Sequence, residues 1–148
     1  MRRSKKPQHP RIRELAPREL AQLYPLIHQL NPSMTRAVFM RRLKAMRPLG
    51  YRAVGVFCGT QMIAVSGFWV RTRFWSGREF DIDNFIVDSA HRKKGIGELL
   101  YAWLEAQAKK EKAELIVLDS YVTSHWAHRF YLRQGLEITG YHLTKKHL

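Results

Sequence analysis

Residues 81–97 read DIDNFIVDSAHRKKGIG, and this stretch decides how the rest of the chain is interpreted. Its first half, together with Glu79 and Phe80, is typical of a strand that ends at Val87. Its second half places Gly95 and Gly97 at the start of a long segment, residues 95–112, whose apolar residues recur at helical spacing. We therefore predict a strand, a short turn and a helix.

The predicted junction between this strand and this helix is suited to binding a phosphate. The first turn of a helix has unpaired N–H groups and the positive end of the helix dipole. Glycines let the backbone approach an anion closely, and Arg92, Lys93 and Lys94 add positive charge. The string is neither a P-loop nor a complete dinucleotide fingerprint. Taken alone, it equally fits a loop whose glycines serve packing and whose lysines serve solubility.

A second segment, residues 127–136, reads AHRFYLRQGL. It lies in a predicted helix, residues 125–134, that Gly135 closes. The two segments, in this order and with an apolar strand between them at residues 115–118, resemble motifs A and B of the GCN5-related N-acetyltransferase (GNAT) superfamily. The resemblance covers the chain well from Tyr51 onward and more loosely before it. It implies an acetyl-CoA-dependent N-acetyltransferase that acts by direct attack of a primary amine.

The pattern of elements predicts an α/β (α+β) fold with a GNAT-like, mixed and mostly antiparallel central sheet flanked by helices. Two helices and an antiparallel meander come first, and a β-α-β-α-β half follows. We expect a basic flexible tail over residues 1–10 and one acetyltransferase domain over residues 11–148. The predicted helices begin at Pro17, Thr35, Gly95 and His125, and the predicted strands cover residues 12–15, 51–58, 62–70, 79–87, 115–118 and 138–143.

The resemblance also implies how acetyl-CoA would be held. Its pyrophosphate would rest on backbone N–H groups of residues 94–98, and its pantetheine arm would run beside residues 85–87 like an added strand. The N–H of Phe85 would polarise the thioester carbonyl. Ser124 stands where the family often has asparagine, and it could contact the cofactor or cap a helix. The implied cofactor residues are Phe85, Ile86, Val87, Arg92, Lys93, Lys94, Gly95, Ile96, Gly97, Glu98 and Ser124.

Three residues are candidates for catalysis. Tyr131 matches the family tyrosine that can protonate the leaving thiolate and is the leading candidate for the acid; the alternative is that it only packs or forms a hydrogen bond. Asp81 and Asp83 alternate with residues 85 and 87, so a regular strand would place all four on one face. Asp81 matches the position of a glutamate base in histone-type members. The base that deprotonates the amine is therefore Asp81, Asp83 or water, and the carboxylates could instead anchor substrate or face solvent.

Two alternatives to catalysis are open, the first suggested by charge and the second by the unassigned base and by Ser124. Lys and Arg number 26 against 12 acidic residues, a net charge of +14, and such a surface favours polyanions. A basic nucleic-acid-binding protein is one alternative, but the sequence contains no recognised helix-turn-helix, RRM or KH signature. Nucleic acid is therefore expected as a secondary partner at most. A non-catalytic acyl-CoA-binding module on the same fold is the other alternative.

The remaining composition limits location and cofactors. The single cysteine, Cys58, cannot form an internal disulfide and fits a reducing, cytoplasmic setting. The apolar runs are too short to span a membrane, so no membrane partner is expected. His125 and His128 have no evident third ligand nearby, so no metal is expected. Family habit favours a homodimer, and the acceptor amine is not identified by the sequence.

Overall fold

The structure, a computed structural model, describes residues 9–146. Most of the predicted basic tail, residues 1–8, lies outside the described part of the chain. The chain divides into two compact units, Met1–Val117 and Leu118–Leu148, which are described separately below. The single domain over residues 11–148 stays a prediction. No helix within residues 9–146 has the length and hydropathy that a membrane span requires.

A five-stranded sheet with the strand order β1-β2-β3-β4-β5 organises the first unit. Strands β1 to β4 pair as antiparallel neighbours, which confirms the predicted mostly antiparallel sheet. Left-handed glycines at the β2–β3 and β3–β4 turns, Gly59 and Gly77, allow tight reversals that other residues would resist. The strands are β1 (Arg11–Glu14), β2 (Arg52–Cys58), β3 (Gln61–Arg73), β4 (Gly77–Val87) and β5 (Leu115–Leu118).

The helices begin close to where the sequence predicts them, with one difference. They are α1 (Tyr24–Leu30), α2 (Arg36–Met46), α3 (Ile96–Lys110) and α4 (His125–Arg133). The helix predicted from Pro17 is divided, since Pro17–Leu23 is a 3₁₀ helix and only the part from Tyr24 is α-helical. Pro25 explains the division, because it has no N–H for an α-helical bond and is tolerated only in a first turn.

The two faces of the sheet are covered by different helices. One face packs against the 3₁₀ helix, α1 and α2, which bury Leu20, Leu23, Ile27, Phe39 and Leu43 together with Tyr51, Ala53, Val65 and Ile86 of the sheet side. The opposite face, which carries Val54, Phe68 and Ile82, faces α3 and its buried residues Ile96, Leu100 and Leu104. We call the first of these the N-terminal face.

The second unit contains α4 and the segment after it. Gly135 follows α4 with a left-handed φ of 89°, as predicted for a glycine that closes a helix. The strand predicted over residues 138–143 is not formed, so the last β of the predicted β-α-β-α-β half is wrong. Ile138, Tyr141 and Leu143 are exposed, and within the described residues this segment pairs with no strand. An alternation of apolar residues does not form a strand unless a neighbouring strand pairs with its backbone N–H and C=O groups.

Candidate active site

The turn between β4 and α3 has the geometry of an anion-binding loop. Asp88 caps a short 3₁₀ turn, Ser89–His91, by accepting a hydrogen bond from the N–H of Ala90 at 3.0 Å. Lys93 and Gly95 are then left-handed, with φ of 58° and 74°. The helix α3 starts directly after Gly95, and its first ladder bond joins the N–H of Leu99 to the carbonyl of Gly95 at 3.1 Å. The N–H groups of residues 96–98 therefore precede the ladder of α3.

Basic side chains around this loop hold the backbone in place. The Arg92 Nε donates to the carbonyl of Val87 at 3.3 Å, at the end of β4. The Lys94 Nζ donates to the carbonyl of Ala90 at 3.1 Å. Both groups are exposed, so their positive charge adds to the dipole of α3 at the same place.

A β-bulge interrupts β4 just before this loop. Gly67 of β3 pairs with Asp83, and Val65 pairs with Ile86. One residue of β3 therefore lies opposite two residues of β4, Asn84 and Phe85. Asn84 has a left-handed φ of 54°, a conformation that costs free energy in any residue with a side chain and is common at bulges.

The bulge changes which side chains share a face. Asp81 and Asp83 lie on one face, as predicted, because they oppose Trp69 and Gly67 on β3. Past the bulge, Ile86 rather than Val87 lies on that face, since Ile86 opposes Val65 and packs in the N-terminal core. The prediction that all four alternating residues of 81–87 share one face is therefore wrong. The extra residue of the bulge shifts the alternation by one position.

Asp83 is held by neutral donors. The Trp69 Nε1 donates to its Oδ2 at 3.1 Å, and the Asn84 Nδ2 donates to its Oδ1 at 2.7 Å. The ring of Tyr51 packs against the ring of Trp69 at a tilt of 58°, with ring centroids 5.2 Å apart. Burial of Tyr51 raises the pKa of its hydroxyl, the charge of Asp83 raises it further, and a hydrogen bond with Asn84 lowers it. The four side chains therefore form one polar cluster beneath the N-terminal helices.

The other carboxylates of β4 are held by arginines. Arg71 donates to Asp81 and also pairs with Glu79 at 3.4 Å. Arg73 pairs with Glu79 at 3.0 Å, and Ser76 donates to it at 2.7 Å. Glu79 is only 1% exposed. Burial raises the pKa of Glu79, but the hydrogen bond from Ser76 and the charge of Arg73 outweigh it, so the pKa lies below its usual value.

The remaining predicted residues, Ser124 and Tyr131, belong to the second unit. Ser124 is the N-cap residue of α4, and its side chain makes no capping hydrogen bond. The Tyr131 ring meets the ring of Phe130 edge-on, with centroids 5.4 Å apart. The Nε2 of His128 lies 2.9 Å from the carbonyl oxygen of Tyr121. Within residues 9–146, His, Cys, Asp and Glu form no group of three that could hold a metal ion.

The model of the acetyltransferase (GNAT) family matches residues 18–136. The chain belongs to this family. This membership confirms the recognition made from the two motifs and agrees with the predicted enzyme class. The GNAT match also includes the N-terminal helices, which the sequence motifs covered only loosely.

A relative of this GNAT chain is named for the compound that it acetylates. An aminoalkylphosphonate N-acetyltransferase of Salmonella typhimurium is 37% identical over 71 residues, which cover 48% of this chain and 44% of that protein. The chain therefore matches less than half of that relative's length.

Solved structures confirm the fold of the GNAT chain. The aminoglycoside N-acetyltransferase AAC(6')-Iy in complex with CoA superposes with a TM-score of 0.83 at 13% identity, over 97% of this chain and 98% of the other. The glucosamine-6-phosphate N-acetyltransferase of Arabidopsis thaliana gives a TM-score of 0.72 at 23% identity, over 93% and 97%. At such identities the likeness concerns the fold alone.

The sequence motifs did not single out several residues that the GNAT site brings together. Asn84 lies inside the quoted stretch but received no role, because nothing in a sequence pattern marks a left-handed asparagine. Tyr51 was predicted only as a strand residue, and Trp69 only as one of several aromatic residues that pack in the core or line the acceptor cleft. Their contact with each other depends on the pairing of β2 with β3. Glu79 could have been predicted from the sequence to share a face with Asp81 and Asp83, because it lies two residues before Asp81.

Proposed function

We propose that the protein is an acetyl-CoA-dependent N-acetyltransferase in which a neutral primary amine attacks the thioester directly. The observation that carries this proposal is the continuity of the bulged strand β4 with the left-handed loop and the N-terminus of α3. In one stretch of chain, a strand suited to the pantetheine arm leads to a helix end suited to the pyrophosphate.

The proposed cofactor site uses mainly backbone groups. The N–H groups within residues 94–98 would bind the pyrophosphate, with Arg92, Lys93 and Lys94 supplying positive charge. The pantetheine arm would pair with β4 at residues 85–87. Support comes from strand lengths, since β5 has four residues and begins beside Arg78, whereas β4 has eleven. Within residues 9–117, β5 is therefore too short to pair with β4 as far as residues 85–87. Ser124 would contact the same arm.

The proposed chemistry needs a base and an acid. An ammonium group must lose a proton before its nitrogen can attack, and Asp83 or Asp81 would accept that proton directly or through water. The N–H of Phe85 would stabilise the developing oxyanion. Tyr131 would protonate the leaving thiolate, as the family resemblance implies.

For the acceptor we propose a small primary amine. The name of the Salmonella relative supports aminoalkylphosphonates as the first compounds to assay. The solved neighbours are named for aminoglycosides and for glucosamine 6-phosphate, and they justify testing amino sugars beside them. A peptide with a free N-terminus completes a panel that separates small acceptors from protein acceptors.

Calorimetric titration with acetyl-CoA tests the cofactor site. We expect micromolar binding that weakens at least tenfold in Gly97→Glu, because a carboxylate then lies in the first turn of α3 where the pyrophosphate would bind. Gly140→Glu is the matched control, since space around Gly140 is open. Absence of acetyl-CoA binding at low salt would overturn the proposal. With binding established, thiol release from acetyl-CoA in the presence of 2-aminoethylphosphonate, ethanolamine, glucosamine 6-phosphate and an alanyl peptide measures the transfer.

Location and further partners are proposed from composition and from the surface of α2. The single Cys58 supports a reducing cytoplasmic setting. A homodimer stays a prediction from family habit. Nucleic acid as a secondary partner is supported by α2, whose exposed side carries five cationic residues and no acidic one. These residues are Arg36, Arg41, Arg42 and Lys44, with Arg47 at the C-cap.

A further inference from the structure

Negative charge on the N-terminal face of the sheet is unevenly compensated. The register places Glu79, Asp81 and Asp83 of β4 on this face, opposite Arg71, Trp69 and Gly67 of β3. Two arginines of β3 neutralise the first two carboxylates. Among residues 9–146 no cationic side chain forms an ion pair with Asp83, which leaves it as the uncompensated charge of the row.

The neutral donors of Asp83 fix its orientation and leave it able to accept more. Each carboxylate oxygen receives one hydrogen bond, from Trp69 at 3.1 Å and from Asn84 at 2.7 Å. A carboxylate has about four lone-pair sites, so each oxygen can accept a further N–H. Asp83 is half-buried, so a ligand can reach it while its charge is screened less than on an open surface.

Two backbone features build this arrangement. Asn84 adopts its left-handed conformation at the bulge, which puts its amide beside the carboxylate of the preceding residue. Gly67, the partner of Asp83, leaves room for Tyr51, because a Cβ at position 67 would clash with the Tyr51 hydroxyl oxygen and ring. Strained backbone that persists beside a buried polar cluster is typical of functional sites.

We propose that Asp83, oriented by Trp69 and Asn84 beside Tyr51, binds the ammonium group of the acceptor and takes its proton, and that Asp81 does not. This inference rests on the proposed function and names the acceptor's binding site within it. The ammonium group compensates the charge of Asp83, which no cationic side chain of residues 9–146 pairs with. Asp81 is unsuited to the role because Arg71 already neutralises it.

The ammonium group gives one proton to an Asp83 oxygen, and the freed lone pair forms the nitrogen–carbon bond to the acetyl carbonyl. The carbon–sulfur bond breaks, and its electron pair leaves with CoA as a thiolate. The nitrogen then loses a second proton, which balances the proton that the thiolate takes up. The proton on Asp83 returns to water.

Steady-state kinetics with the best amine of the panel test the assignment. We expect Asp83→Asn to lower kcat/KM roughly 100-fold and to remove the acidic limb of its pH profile, because a general base of this kind contributes about that much. Asp81→Asn should lower kcat/KM by less than about tenfold, and the matched control Asp119→Asn, at an exposed site outside the cluster, should change nothing. Acetyl-CoA affinity should stay within about threefold in all three. A larger loss in Asp81→Asn than in Asp83→Asn would overturn the inference.

Positioning by Trp69 and Asn84 is tested separately. Trp69→Phe and Asn84→Gly each remove one donor to Asp83 and should raise KM for the amine about tenfold and shift the acidic limb of the pH profile. Trp75→Phe, at the exposed tip of the β3–β4 hairpin, is the matched control for the first. A loss of kcat alone with an unmoved pH profile would show a merely structural role and count against the proposal.

A binding measurement separates this inference from the proposed function. Ethylammonium chloride, titrated against sodium chloride of equal ionic strength, should change the Trp69 fluorescence saturably in the wild type. The change should disappear in Asp83→Asn and in Trp69→Phe but persist in Asp119→Asn. This result would support the ammonium site even if no acetyl transfer were found. An unsaturable change in the wild type, or one that Asp83→Asn retains, would sink it.

Discussion

At the scale of single residues, the partners of a carboxylate decide what it can do. Glu79, Asp81 and Asp83 have similar chemistry and follow one another at alternate positions of β4. Arginines and a serine hold Glu79, an arginine holds Asp81, and an indole and an amide hold Asp83. Alternation predicts that the three share a face, but it does not reveal their partners, because those come from β3 and from the bulge.

The partners of Glu79 predict a dependence of stability on pH. Because its pKa is lowered in the folded state, its contribution is fully present above the pKa of the unfolded chain, near 4.5, and is lost as pH falls below that value. Glu79→Gln should therefore lower the free energy of unfolding by roughly 1–2 kcal/mol at pH 7 and flatten its decline between about pH 5 and 3. Urea unfolding at several pH values measures both effects.

The exposed Glu137 provides the control for this change. Glu137→Gln removes the same charge from the surface and should leave the pH dependence of stability as it is in the wild type. Equal curves for the two variants would show that Arg71 and Arg73 do not stabilise the ionised form of Glu79.

At the scale of elements, the sequence predicts best where local chemistry suffices. The strands β2 to β4 and the helices α2, α3 and α4 lie within a few residues of their predicted bounds, because periodicity, caps and glycine turns are local signals. The division at Pro25 and the missing strand over residues 138–143 were not foreseen. The bulge at Asn84 was also missed, since it is defined only by the partner strand.

One local signal, Gly95, permits a direct test on α3. Its φ of 74° favours glycine, and an added Cβ would meet no atom within 4 Å, so Gly95→Ala acts only through the backbone. We expect a loss of about 1 kcal/mol in stability and a weaker affinity for acetyl-CoA, because relief of the strain moves the loop. Calorimetry and urea unfolding check the two effects. Gly140→Ala, in open space without a left-handed φ, should show neither, and wild-type affinity in Gly95→Ala would contradict the role of the loop.

At the scale of the whole molecule, charge is distributed by segment. Residues 20–78, which include the helices α1 and α2, contain no acidic residue, so all 12 acidic residues lie outside these two helices. The sequence alone therefore favours the binding of a nucleic-acid partner near these helices. It cannot predict which cations are already neutralised, because Arg52, Arg71 and Arg78 find their carboxylates only in the fold.

The free cations of α2 predict salt-dependent binding of nucleic acid. Arg41→Ala combined with Arg42→Ala should weaken the binding of a short fluorescein-labelled RNA hairpin and lower the slope of log K against log salt by roughly 1–2, since each phosphate contact contributes about 0.9. Fluorescence anisotropy at several salt concentrations measures the slope. Lys109→Ala is the control, because Glu105 already pairs with Lys109. Binding by the wild type that does not respond to salt would contradict the prediction.

The bulge at Asn84 has a consequence for redesign. It divides β4 into two stretches, residues 79–83 before it and residues 85–87 after it. The alternation of side chains in the first stretch does not set which side chains of the second stretch face the core. Substitutions in residues 79–83 can therefore change which amine the protein binds without changing which side chains of residues 85–87 face the core. Deletion of Asn84 would remove the bulge and leave Ile86 opposite Val65, so shortening the strand at this point would keep the core side chains in place and would remove the amide that donates to Asp83.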